Sequence, residues 1–356
     1  MMRAGVLHGR LDLRVEDRPE PRPREGEVLI QVALNGLCGT DATEYAKGPM
    51  MVPLTDRHTG SGHVGPTVLG HEFIGTVVAA GPDAGDGGGR RWTGRRVACG
   101  AGVSCGSCRW CAAGRTNLCE RYYTLGLSTH GGLAELVVAP VSTLVTIPDG
   151  CDDTEAALAQ PFAVGLHAID RAGIADGDDV VVLGAGAIGS FVLAGLRGHR
   201  GTVTVVDVDP DRLDVARRLG ATSTVAVSRE TTLEELRDLV PRQPHVVIES
   251  SGAPGAAARA LSLCARGGRT LLVGLVKAPQ ELGLADIVLR EVDIATTVAH
   301  ICATDIPRAL ALLESSPLAG VIGTTTVPLD HVVARGLDPI VAGSAGGKIL
   351  VDPRRG

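Results

Sequence analysis

Four cysteines lie within fifteen residues of the chain, in the stretch CGSCRWCAAGRTNLC. They are Cys105, Cys108, Cys111 and Cys119. Four thiolates from so short a segment can close tetrahedrally around one Zn²⁺ and leave no position for a substrate, which is typical of a structural zinc site. Thiolates also bind iron–sulfur clusters, and four unliganded thiols are the remaining alternative. The compact spacing favours structural zinc.

A second set of metal-binding side chains is spread more widely. Cys38 lies in LNGLCGTDATEY, and His71 and Glu72 are adjacent in GPTVLGHEFIGTV. Sulfur, nitrogen and oxygen donors together suit Zn²⁺, although an isolated cysteine is more often a small buried hydrophobe. Because neighbouring residues of a strand point to opposite faces, His71 and Glu72 reach one ion only if the backbone turns at Gly70 or if Glu72 binds part of the time. We predict an open metal site here.

A glycine-rich turn follows an apolar, β-branched run in VVVLGAGAIGS. Gly184, Gly186 and Gly189 have the GxGxxG spacing of a dinucleotide-binding turn, whose helix N-terminus faces the pyrophosphate. The next apolar run ends in Asp207, whose carboxylate can bond the ribose hydroxyls and would repel a 2′-phosphate. Arg212, the nearest arginine, lies five residues on, inside the next helix. We predict NAD rather than NADP; the alternative is a tight turn and a strand-ending carboxylate without a nucleotide.

Two patterns of secondary structure divide the chain. Apolar runs fenced by Gly and Pro predict a β-rich first region, with a polar loop at 81–94. Its clearest strand-like runs are residues 27–34, 73–80 and 131–140. A helix predicted over 152–173 then begins an alternation of strands and helices, which indicates βαβ units and a parallel sheet. Residues 298–356 return to strand-like pieces and are expected to rejoin the first region.

The composition excludes several classes of protein. A length of 356 residues favours two domains, and the formal net charge of −6 is scattered along the chain. No basic stripe predicts nucleic-acid binding, and no basic amphipathic stretch predicts a membrane surface. No apolar run reaches membrane-spanning length, and the charged start MMRAGVLHGRLDLRVEDRPEP has no apolar signal core. With four of nine cysteines clustered, we expect a reducing compartment, the cytoplasm.

These motifs together resemble one family. CGTD (38–41), GHE (70–72), the four-cysteine segment and VLGAGAIG occur in the order of the zinc-dependent medium-chain dehydrogenases/reductases, and CGTDATEYAKGP resembles the butanediol and sorbitol dehydrogenases most. The resemblance implies an α/β fold, with a β-rich GroES-like catalytic domain and a doubly wound Rossmann domain, assembled as homodimers or homotetramers. The implied domains are 1–155 (catalytic, with a structural-zinc lobe at about 99–120), 156–297 (NAD-binding) and 298–356 (return to the catalytic domain).

The resemblance also implies ligands for two zinc ions. Cys38, His71 and Glu72 match the catalytic-zinc ligands, and the clustered cysteines match the structural ones. Gln160, in AQPFAVGLHA, matches the last catalytic ligand position, where relatives often have glutamate or cysteine. A neutral Gln160 would leave the site near zero net charge and keep Zn²⁺ a stronger Lewis acid. Whether Gln160 contacts the metal directly, contacts it through water or only caps a helix stays open.

A catalytic sequence follows from the same resemblance. Zinc lowers the pKa of the bound alcohol, Thr40 matches the hydroxyl that takes its proton, and hydride passes to C4 of the nicotinamide. In many relatives a histidine carries the proton onward, but Thr43 stands at that position here, so water, Thr43 or another group must serve. Asp41 is expected to order the Cys38 loop. Further contacts with the nicotinamide cofactor are expected from Ala187, Ile188, Arg212, Ser251, Val273 and Gly274.

Three histidines are less specific. His58 and His63 lie in DRHTGSGHVG, which in relatives borders the substrate cleft, and we interpret them as solvated loop residues. His167 follows Gln160 by two helical turns, so we expect it in the core or behind the metal site rather than as a ligand.

The leading hypothesis is a zinc- and NAD-dependent dehydrogenase of a secondary alcohol, such as a diol, polyol, sugar or cyclitol. The low aromatic content, 2%, favours a small or polar substrate. One alternative keeps the fold but reduces a carbonyl or activated alkene, which the absent relay histidine supports. The other alternative is a non-catalytic nucleotide-binding protein. Binding NAD requires none of Cys38, His71, Glu72 and Thr40, so their presence argues against it.

Overall fold

The computed structural model describes residues 1–85, 91–240, 242–276 and 278–355. The chain forms two compact units, one of residues 1–163 and 300–356 and the other of residues 164–299. We call them unit 1 and unit 2. Part of the loop predicted at 81–94, residues 86–90, lies outside the described residues.

The strands of the described chain are β1 (Met2–Gly9), β2 (Asp12–Arg18), β3 (Glu27–Gly36), β4 (Thr67–Val68), β5 (Glu72–Ala80), β6 (Arg96–Cys99), β7 (Gly102–Val103), β8 (Tyr123–Thr124), β9 (Leu136–Pro140), β10 (Leu144–Thr146), β11 (Val180–Leu183), β12 (Val203–Asp207), β13 (Ser223–Ala226), β14 (Val246–Glu249), β15 (Arg269–Leu272), β16 (Asp293–Thr296), β17 (Thr324–Pro328) and β18 (Lys348–Asp352).

The α-helices are α1 (Gly39–Lys47), α2 (Arg109–Ala112), α3 (Asp153–Ala156), α4 (Ala159–Ala172), α5 (Ala187–Gly195), α6 (Pro210–Arg218), α7 (Leu233–Leu239), α8 (Ala256–Leu263), α9 (Leu284–Leu289), α10 (Cys302–Ser315), α11 (Ala319–Ile322) and α12 (Asp338–Val341). Short 3₁₀ turns at Thr116–Leu118, Val141–Thr143 and Leu329–His331 and a π-helical turn at Val332–Leu337 complete the regular structure of the described residues.

Unit 1 is built mainly from antiparallel strands. Its largest sheet has the order β10-β6-β5-β3-β18-β17, and β9 also pairs with β3. Within β3, Val28, Ile30 and Val32 share one face and are fully buried, because side chains alternate between the two faces of a strand. β18 pairs antiparallel with β3, so the end of the chain completes the sheet that contains the GHE segment.

Unit 2 contains a six-stranded sheet of order β13-β12-β11-β14-β15-β16, in which each described pair is parallel. Every residue of β11 and β14 is buried, as expected for strands covered on both faces. The chain order reverses between β11 and β14, where doubly wound sheets place their ligands. The α/β prediction, with a doubly wound parallel sheet beside a β-rich region, is confirmed.

The helix predicted over 152–173 is divided in two. Asp152 caps α3, its carboxylate accepting from Glu155 N at 2.9 Å, and α4 starts only at Ala159. Pro161 lacks the N–H that would bond the carbonyl four residues earlier, so a helix tolerates it in the first turn but not further inside. The break before α4 puts Pro161 in that first turn.

Candidate metal centres and nucleotide site

One candidate metal centre is formed by Cys38, His71 and Glu72. Each offers one ligand atom, and these atoms lie within 4.8 Å of one another. Cys38 precedes the first turn of α1, and Glu72 is the first residue of β5. Gly70 has φ +93°, a left-handed conformation that turns the chain just before His71. This turn lets two consecutive side chains approach one point, as the sequence required.

Asp41 organises both sides of this centre. Its Oδ2 accepts a hydrogen bond from Cys38 N at 2.9 Å, which confirms the prediction that Asp41 orders the Cys38 loop. Its Oδ1 lies 3.4 Å from His71 Nδ1, and the Asp41 side chain is fully buried. Burial alone would lower the pKa of His71, but the carboxylate of Asp41 and the sulfur of Cys38 outweigh it and raise that pKa. With Nδ1 directed to Asp41, Nε2 is the His71 atom left for a metal.

Lys348 is a partner of this centre that the sequence analysis missed. Its Nζ forms an ion pair with Glu72 Oε2 and donates to Leu37 O at 2.9 Å. The side chains of Lys348 and Glu72 are 5% and 2% exposed. Gly36 makes room for the pair, since a Cβ there would lie 2.4 Å from Glu72 Oε2. A lysine inside the buried strand KILVD was the signal that could have revealed it.

The hydroxyl-bearing residues near Cys38 differ in their contacts. Thr40 Oγ1 lies 3.6 Å from Cys38 Sγ, within the centre's own loop. Thr43 Oγ1 donates to Gly39 O at 2.7 Å, so its proton is committed to the helix backbone. Gln160 is the second residue of α4 and is half-buried.

Helix α1 also fixes the segment that follows it. The buried carboxylate of Glu44 accepts hydrogen bonds from Met50 N at 2.9 Å, Met51 N at 2.8 Å and Val52 N at 3.4 Å. A carboxylate that is 1% exposed requires such donors to offset its desolvation. The helix that begins at Cys38 therefore holds the start of the 48–66 segment in place.

The second candidate metal centre contains the four clustered cysteines. One sulfur from each of Cys105, Cys108, Cys111 and Cys119 lies within 4.8 Å of the others. Backbone N–H groups donate to these sulfurs: Cys105 N to Cys119 at 3.2 Å and Cys108 N to Cys105 at 3.4 Å. Such bonds, with those of Ser107 foremost, lower the pKa of Cys105 to about 5, whereas burial raises that of Cys119 to about 11.

Both groups fit a divalent metal by the chemistry of their donors. Four thiolates suit tetrahedral zinc, and thiolate, imidazole and carboxylate suit zinc with an open position. His71 and Glu72 are 6% and 2% exposed, and converging buried polar groups are costly unless they are paired or bind a metal. Cys38, His71 and Glu72 are the residues that could hold a reactive metal.

The glycine-rich turn of unit 2 is closely packed. Gly184 has φ +99°, and a Cβ there would lie 2.9 Å from Ser251. A Cβ on Gly189 would lie 2.0 Å from Gly184 O, so only glycine permits the helix to approach the strand. Gly186 caps α5, whose first residues are Ala187 and Ile188. The turn thus presents the N-terminus of a nine-residue helix at the end of β11.

Asp207 ends β12 and is 7% exposed. Its Oδ2 accepts from Ala185 N at 2.6 Å and its Oδ1 from Asp209 N at 2.9 Å. Each carboxylate oxygen has further acceptor capacity, so these bonds fix the group without exhausting it. Arg212 instead pairs with Asp209, with Nε 3.4 Å from Oδ2.

Glu249, at the end of β14, organises the neighbouring strand ends. Its Oε1 accepts from Ser251 N at 2.8 Å, Ser251 Oγ at 2.5 Å and Gly252 N at 3.0 Å, and its backbone O accepts from Val273 N at 2.8 Å. A Cβ on Gly274 would lie 2.5 Å from Glu249 Oε2. Ser251, Val273 and Gly274 therefore come together at one edge of the sheet.

The three less specific histidines lie apart from these contacts. His58 Nδ1 accepts from Gly60 N and Ser61 N, each at 3.1 Å, and His63 Nε2 lies 2.9 Å from Thr67 Oγ1. Both rings are half-buried and keep part of their surface in solvent, so the interpretation of solvated loop residues stays a prediction. The loop backbone bends back onto the ring of His58, whereas the partner of His63 is the side-chain hydroxyl of Thr67. His167 is 5% exposed within α4, which fits a core position.

The comparisons with known proteins agree with this arrangement. Residues 24–149 match the alcohol dehydrogenase GroES-like domain, and residues 187–315 match the zinc-binding dehydrogenase domain. Sorbitol dehydrogenase of Bacillus subtilis is 31% identical over 93% of this chain and 90% of its own length. L-threonine 3-dehydrogenase of Proteus mirabilis is 30% identical over 94% and 95%. The crystal structure of 2R,3R-butanediol dehydrogenase from Bacillus subtilis has a TM-score of 0.89 at 28% identity, covering 99% of this chain and 100% of that one.

The chain therefore belongs to the zinc-dependent alcohol dehydrogenase family of the medium-chain dehydrogenases/reductases. Within that family it is an oxidoreductase of the alcohol and polyol dehydrogenase type. In the part of the chain that the structure describes, no helix is long and apolar enough to span a membrane.

Proposed function

We propose that this protein transfers hydride between a secondary alcohol, of the diol, polyol, sugar or cyclitol class, and NAD. The observation that carries the proposal is the convergence of Cys38, His71 and Glu72 within 4.8 Å, with the Thr40 hydroxyl beside the Cys38 sulfur. A nucleotide-binding protein without catalysis needs neither the three converging side chains nor the hydroxyl. The names of the relatives, sorbitol, threonine and butanediol dehydrogenases, support a secondary alcohol.

Cys38, His71 and Glu72 would hold a catalytic zinc, with Gln160 as the remaining protein ligand. Zinc bound there would supply the Lewis acidity that makes an alcohol easier to deprotonate. Cys38, Asp41 and Glu72 contribute three negative charges and Lys348 one positive charge, a sum of −2 that Zn²⁺ balances. The centre would therefore have zero net charge with Zn²⁺ bound. This agrees with the near-zero charge expected from a neutral Gln160.

The chain's own residues supply orientation and proton transfer. Asp41 fixes the ring of His71, and Lys348 fixes one oxygen of Glu72, so both ligands are pre-positioned. Thr40 would hold the substrate oxygen and accept its proton. Thr43 is not the onward carrier, because its hydroxyl donates to Gly39 O. Water or another group is then the exit route for the proton. The comparisons do not favour the reductase or the non-catalytic alternative.

The cysteine cluster would hold the second, structural zinc. Four sulfurs fill a tetrahedral site and leave no position for substrate. The N–H donor to Cys105 favours its thiolate form, and the N–H donors to Cys119 oppose part of the effect of its burial; thiolates are the forms that bind metal. Retention of these thiols, all of them unpaired in the described chain, requires a reducing compartment, and we propose the cytoplasm.

NAD is the proposed cofactor because of Asp207. It lies at the end of β12, where a carboxylate meets the adenosine ribose, and a 2′-phosphate would be repelled there. Gly184, Gly186 and Gly189 would receive the pyrophosphate, and Ser251, Val273 and Gly274 the nicotinamide half. Arg212 contributes less to cofactor binding than the sequence predicted, because its guanidinium is already paired with Asp209.

Replacing Asp207 with asparagine is expected to shift cofactor preference. The amide keeps the size and one acceptor for Ala185 N but removes the charge, so the ratio of kcat/KM for NAD to that for NADP should fall at least about tenfold, roughly 1.4 kcal/mol. Steady-state kinetics with both cofactors measures it, with Asp211→Asn as the exposed control. An unchanged ratio in Asp207→Asn, or a wild type that prefers NADP, would contradict the assignment.

A homodimer is the proposed assembly, formed through one edge of unit 2. β16 ends the parallel sheet and pairs only with β15 among the described strands. Four apolar residues on β16 and on α9 are conspicuously exposed: Ile294 (46%), Leu284 (65%), Val288 (72%) and Leu289 (75%). An unpaired strand edge with apolar neighbours pairs readily with its own copy across a two-fold axis.

Replacing Ile294 with lysine should therefore dissociate the protein. A charge placed on each copy at a symmetric strand edge would face its equivalent, so the mass measured by light scattering at micromolar concentration should fall to that of one chain. Val341→Lys, at an equally exposed residue of unit 1, is the control and should leave the mass unchanged. A mass of two or more chains for Ile294→Lys, or one chain for the wild type, would exclude this interface.

The proposed function is tested by NADH formation against diols, polyols, aldoses and amino-cyclitols with zinc-replete protein. Turnover confined to one of these groups would support the proposal and assign the substrate class. No turnover of any alcohol in the panel, with NAD binding intact, would reject it in favour of carbonyl reduction.

A further inference from the structure

A cavity of about 780 Å³ in unit 1 is lined by none of the residues assigned to the proposed hydride transfer. Its walls come from the end of β2 and the segment that leads to β3, from the loop at 57–63, from residues 123–131 and from β9. Cys38, His71 and Glu72 are not among its lining residues. The cavity therefore calls for an explanation of its own.

The charges that line this cavity are mostly positive. Its arginines are Arg18, Arg22, Arg24 and Arg57, and its carboxylates are Glu20 and Glu27, so the net charge is 4 − 2 = +2 with neutral histidines. Glu27 already accepts from Arg24 N at 2.8 Å, and Glu20 pairs with the terminal amino group of Met1. Arg18 forms an ion pair with Glu16, in which Nη1 of Arg18 lies 3.3 Å from Oε1 of Glu16. The cavity thus has unbalanced positive charge.

Two histidines stand together in the wall of the cavity. The ring centroids of His63 and His130 are 4.6 Å apart in an edge-to-face arrangement. His63 Nε2 lies 2.9 Å from the hydroxyl of Thr67, a residue that is itself fully buried. His130 Nδ1 accepts from Val68 N at 3.2 Å. Both rings are therefore held in place by the backbone or side chains of the 67–68 strand.

The hydrogen bonds determine which ring atoms carry protons. Thr67 Oγ1 donates its single proton to Gly65 O at 3.0 Å, so it must accept from His63 Nε2–H. His130 Nδ1 accepts from the backbone, so its proton is on Nε2, which can donate to a ligand. A second proton on His63 would go to Nδ1 and add another donor.

The positive charge of Arg18 reaches both rings. Partial burial, and next the charges of His63 and Arg18, lower the pKa of His130. Partial burial and the charge of Arg18 also lower the pKa of His63. A hydrogen bond to the backbone of Gly65 opposes this lowering. An anion between these groups would offset the repulsion and let His63 take up a proton at Nδ1, while Nδ1 of His130 keeps its hydrogen bond from Val68 N.

We propose that this cavity binds a small dianion of the phosphate-monoester type, held by Arg18, His63 and His130, with Arg57 at the entrance. Arg guanidinium forks and imidazole N–H groups match phosphate oxygens in charge and geometry. The volume of about 780 Å³ leaves room for the organic part of a phosphorylated metabolite. Binding takes up a proton at His63, so it strengthens as the pH falls.

Calorimetric titration of the zinc-replete, NAD-saturated protein with sulfate tests the proposal, because sulfate keeps its charge between pH 6 and 8 and saturating NAD occupies the nucleotide phosphate site. At constant ionic strength we expect saturable binding that is at least about fivefold tighter at pH 6 than at pH 8. Arg18→Gln should weaken it at least about tenfold, His130→Gln should weaken it, and His63→Gln should weaken it and reduce the pH dependence. Arg14→Gln, on the same strand but outside the cavity, is the matched control and should bind as the wild type does.

A second calorimetric titration compares glycerol phosphate with glycerol. Binding of glycerol phosphate at least as tight as that of sulfate, without binding of glycerol, would establish the phosphate-ester class. Three results would mean an adventitious ion only and overturn the proposal. They are sulfate binding that is equal in Arg18→Gln and Arg14→Gln, binding that does not saturate, and binding that is independent of pH. Alcohol turnover is not a readout here, so this result is independent of the proposed dehydrogenase activity.

Discussion

Replacing Cys38 with serine should lower kcat/KM for the best alcohol at least about 10³-fold, roughly 4 kcal/mol of transition-state stabilisation. Serine is a neutral hydroxyl at neutral pH, so the variant loses the thiolate that contributes both a ligand and a negative charge to the centre. The NAD dissociation constant should stay within about twofold, because the proposed nucleotide contacts lie in unit 2, at the ends of β11, β12 and β14. Steady-state kinetics and NAD titration measure the two quantities separately.

Cys151→Ser is the matched control for this variant. Cys151 is buried, whereas Cys38 is half-buried, and the sulfur of Cys151 lies 3.8 Å from Asp152 O, a partner that a serine hydroxyl can keep. It should retain most of the wild-type activity. Cys38→Ser with more than a tenth of wild-type kcat/KM would show that the thiolate is not a ligand of the reactive metal.

Replacing Lys348 with methionine should destabilise unit 1 strongly. The change leaves Glu72 buried and negative without its cation, and removing one partner of a buried ion pair costs about 3–5 kcal/mol. In zinc-free protein the apparent Tm of the transition that includes unit 1 should fall by about 6–20 °C at 2–4 °C per kcal/mol. The loss should be smaller in zinc-loaded protein, because the metal neutralises the same carboxylate. Differential scanning calorimetry of both forms measures it.

A second substitution separates the ion pair from ordinary packing. Lys348→Met with Glu72→Gln removes both charges, so most of the lost Tm should return while alcohol turnover stays low, because a proposed zinc ligand has changed. Lys47→Met, at an exposed lysine, should have no effect on Tm. Equal Tm values for the single and double variants would mean that the charge of Glu72 does not require Lys348.

Local motifs made much of this fold predictable. Alternating strands and helices after residue 155 predicted a parallel sheet, because βαβ connections have a characteristic length, and the GxGxxG turn falls at the end of β11 where it was expected. The break between α3 and α4 was missed, because the helical pattern outweighed the single Pro161. Periodicity describes which face is apolar, but it does not show where the backbone hydrogen bonds of a helix must begin again.

The parts of the site that escaped prediction depend on long-range pairing. Asp41 could be interpreted from the sequence because it lies three residues from Cys38. The pairing of Lys348 with Glu72 could not, because the two residues meet only through the antiparallel register of β18 on β3, across most of the chain. His63 and His130 are likewise distant in sequence and adjacent in space. A single sequence identifies the donors of a site by type, whereas their charged neighbours are set by topology.

The most direct test of the central claim is the zinc content per chain of the purified wild type and of Cys38→Ser, measured by plasma mass spectrometry with native mass spectrometry of the intact chain. Two separate donor sets, one at Cys38 and one at the four clustered cysteines, predict two zinc ions in the wild type and one in the variant. Two zinc ions in both proteins, or a single zinc ion in the wild type that Cys38→Ser retains, would contradict a metal centre at Cys38, His71 and Glu72.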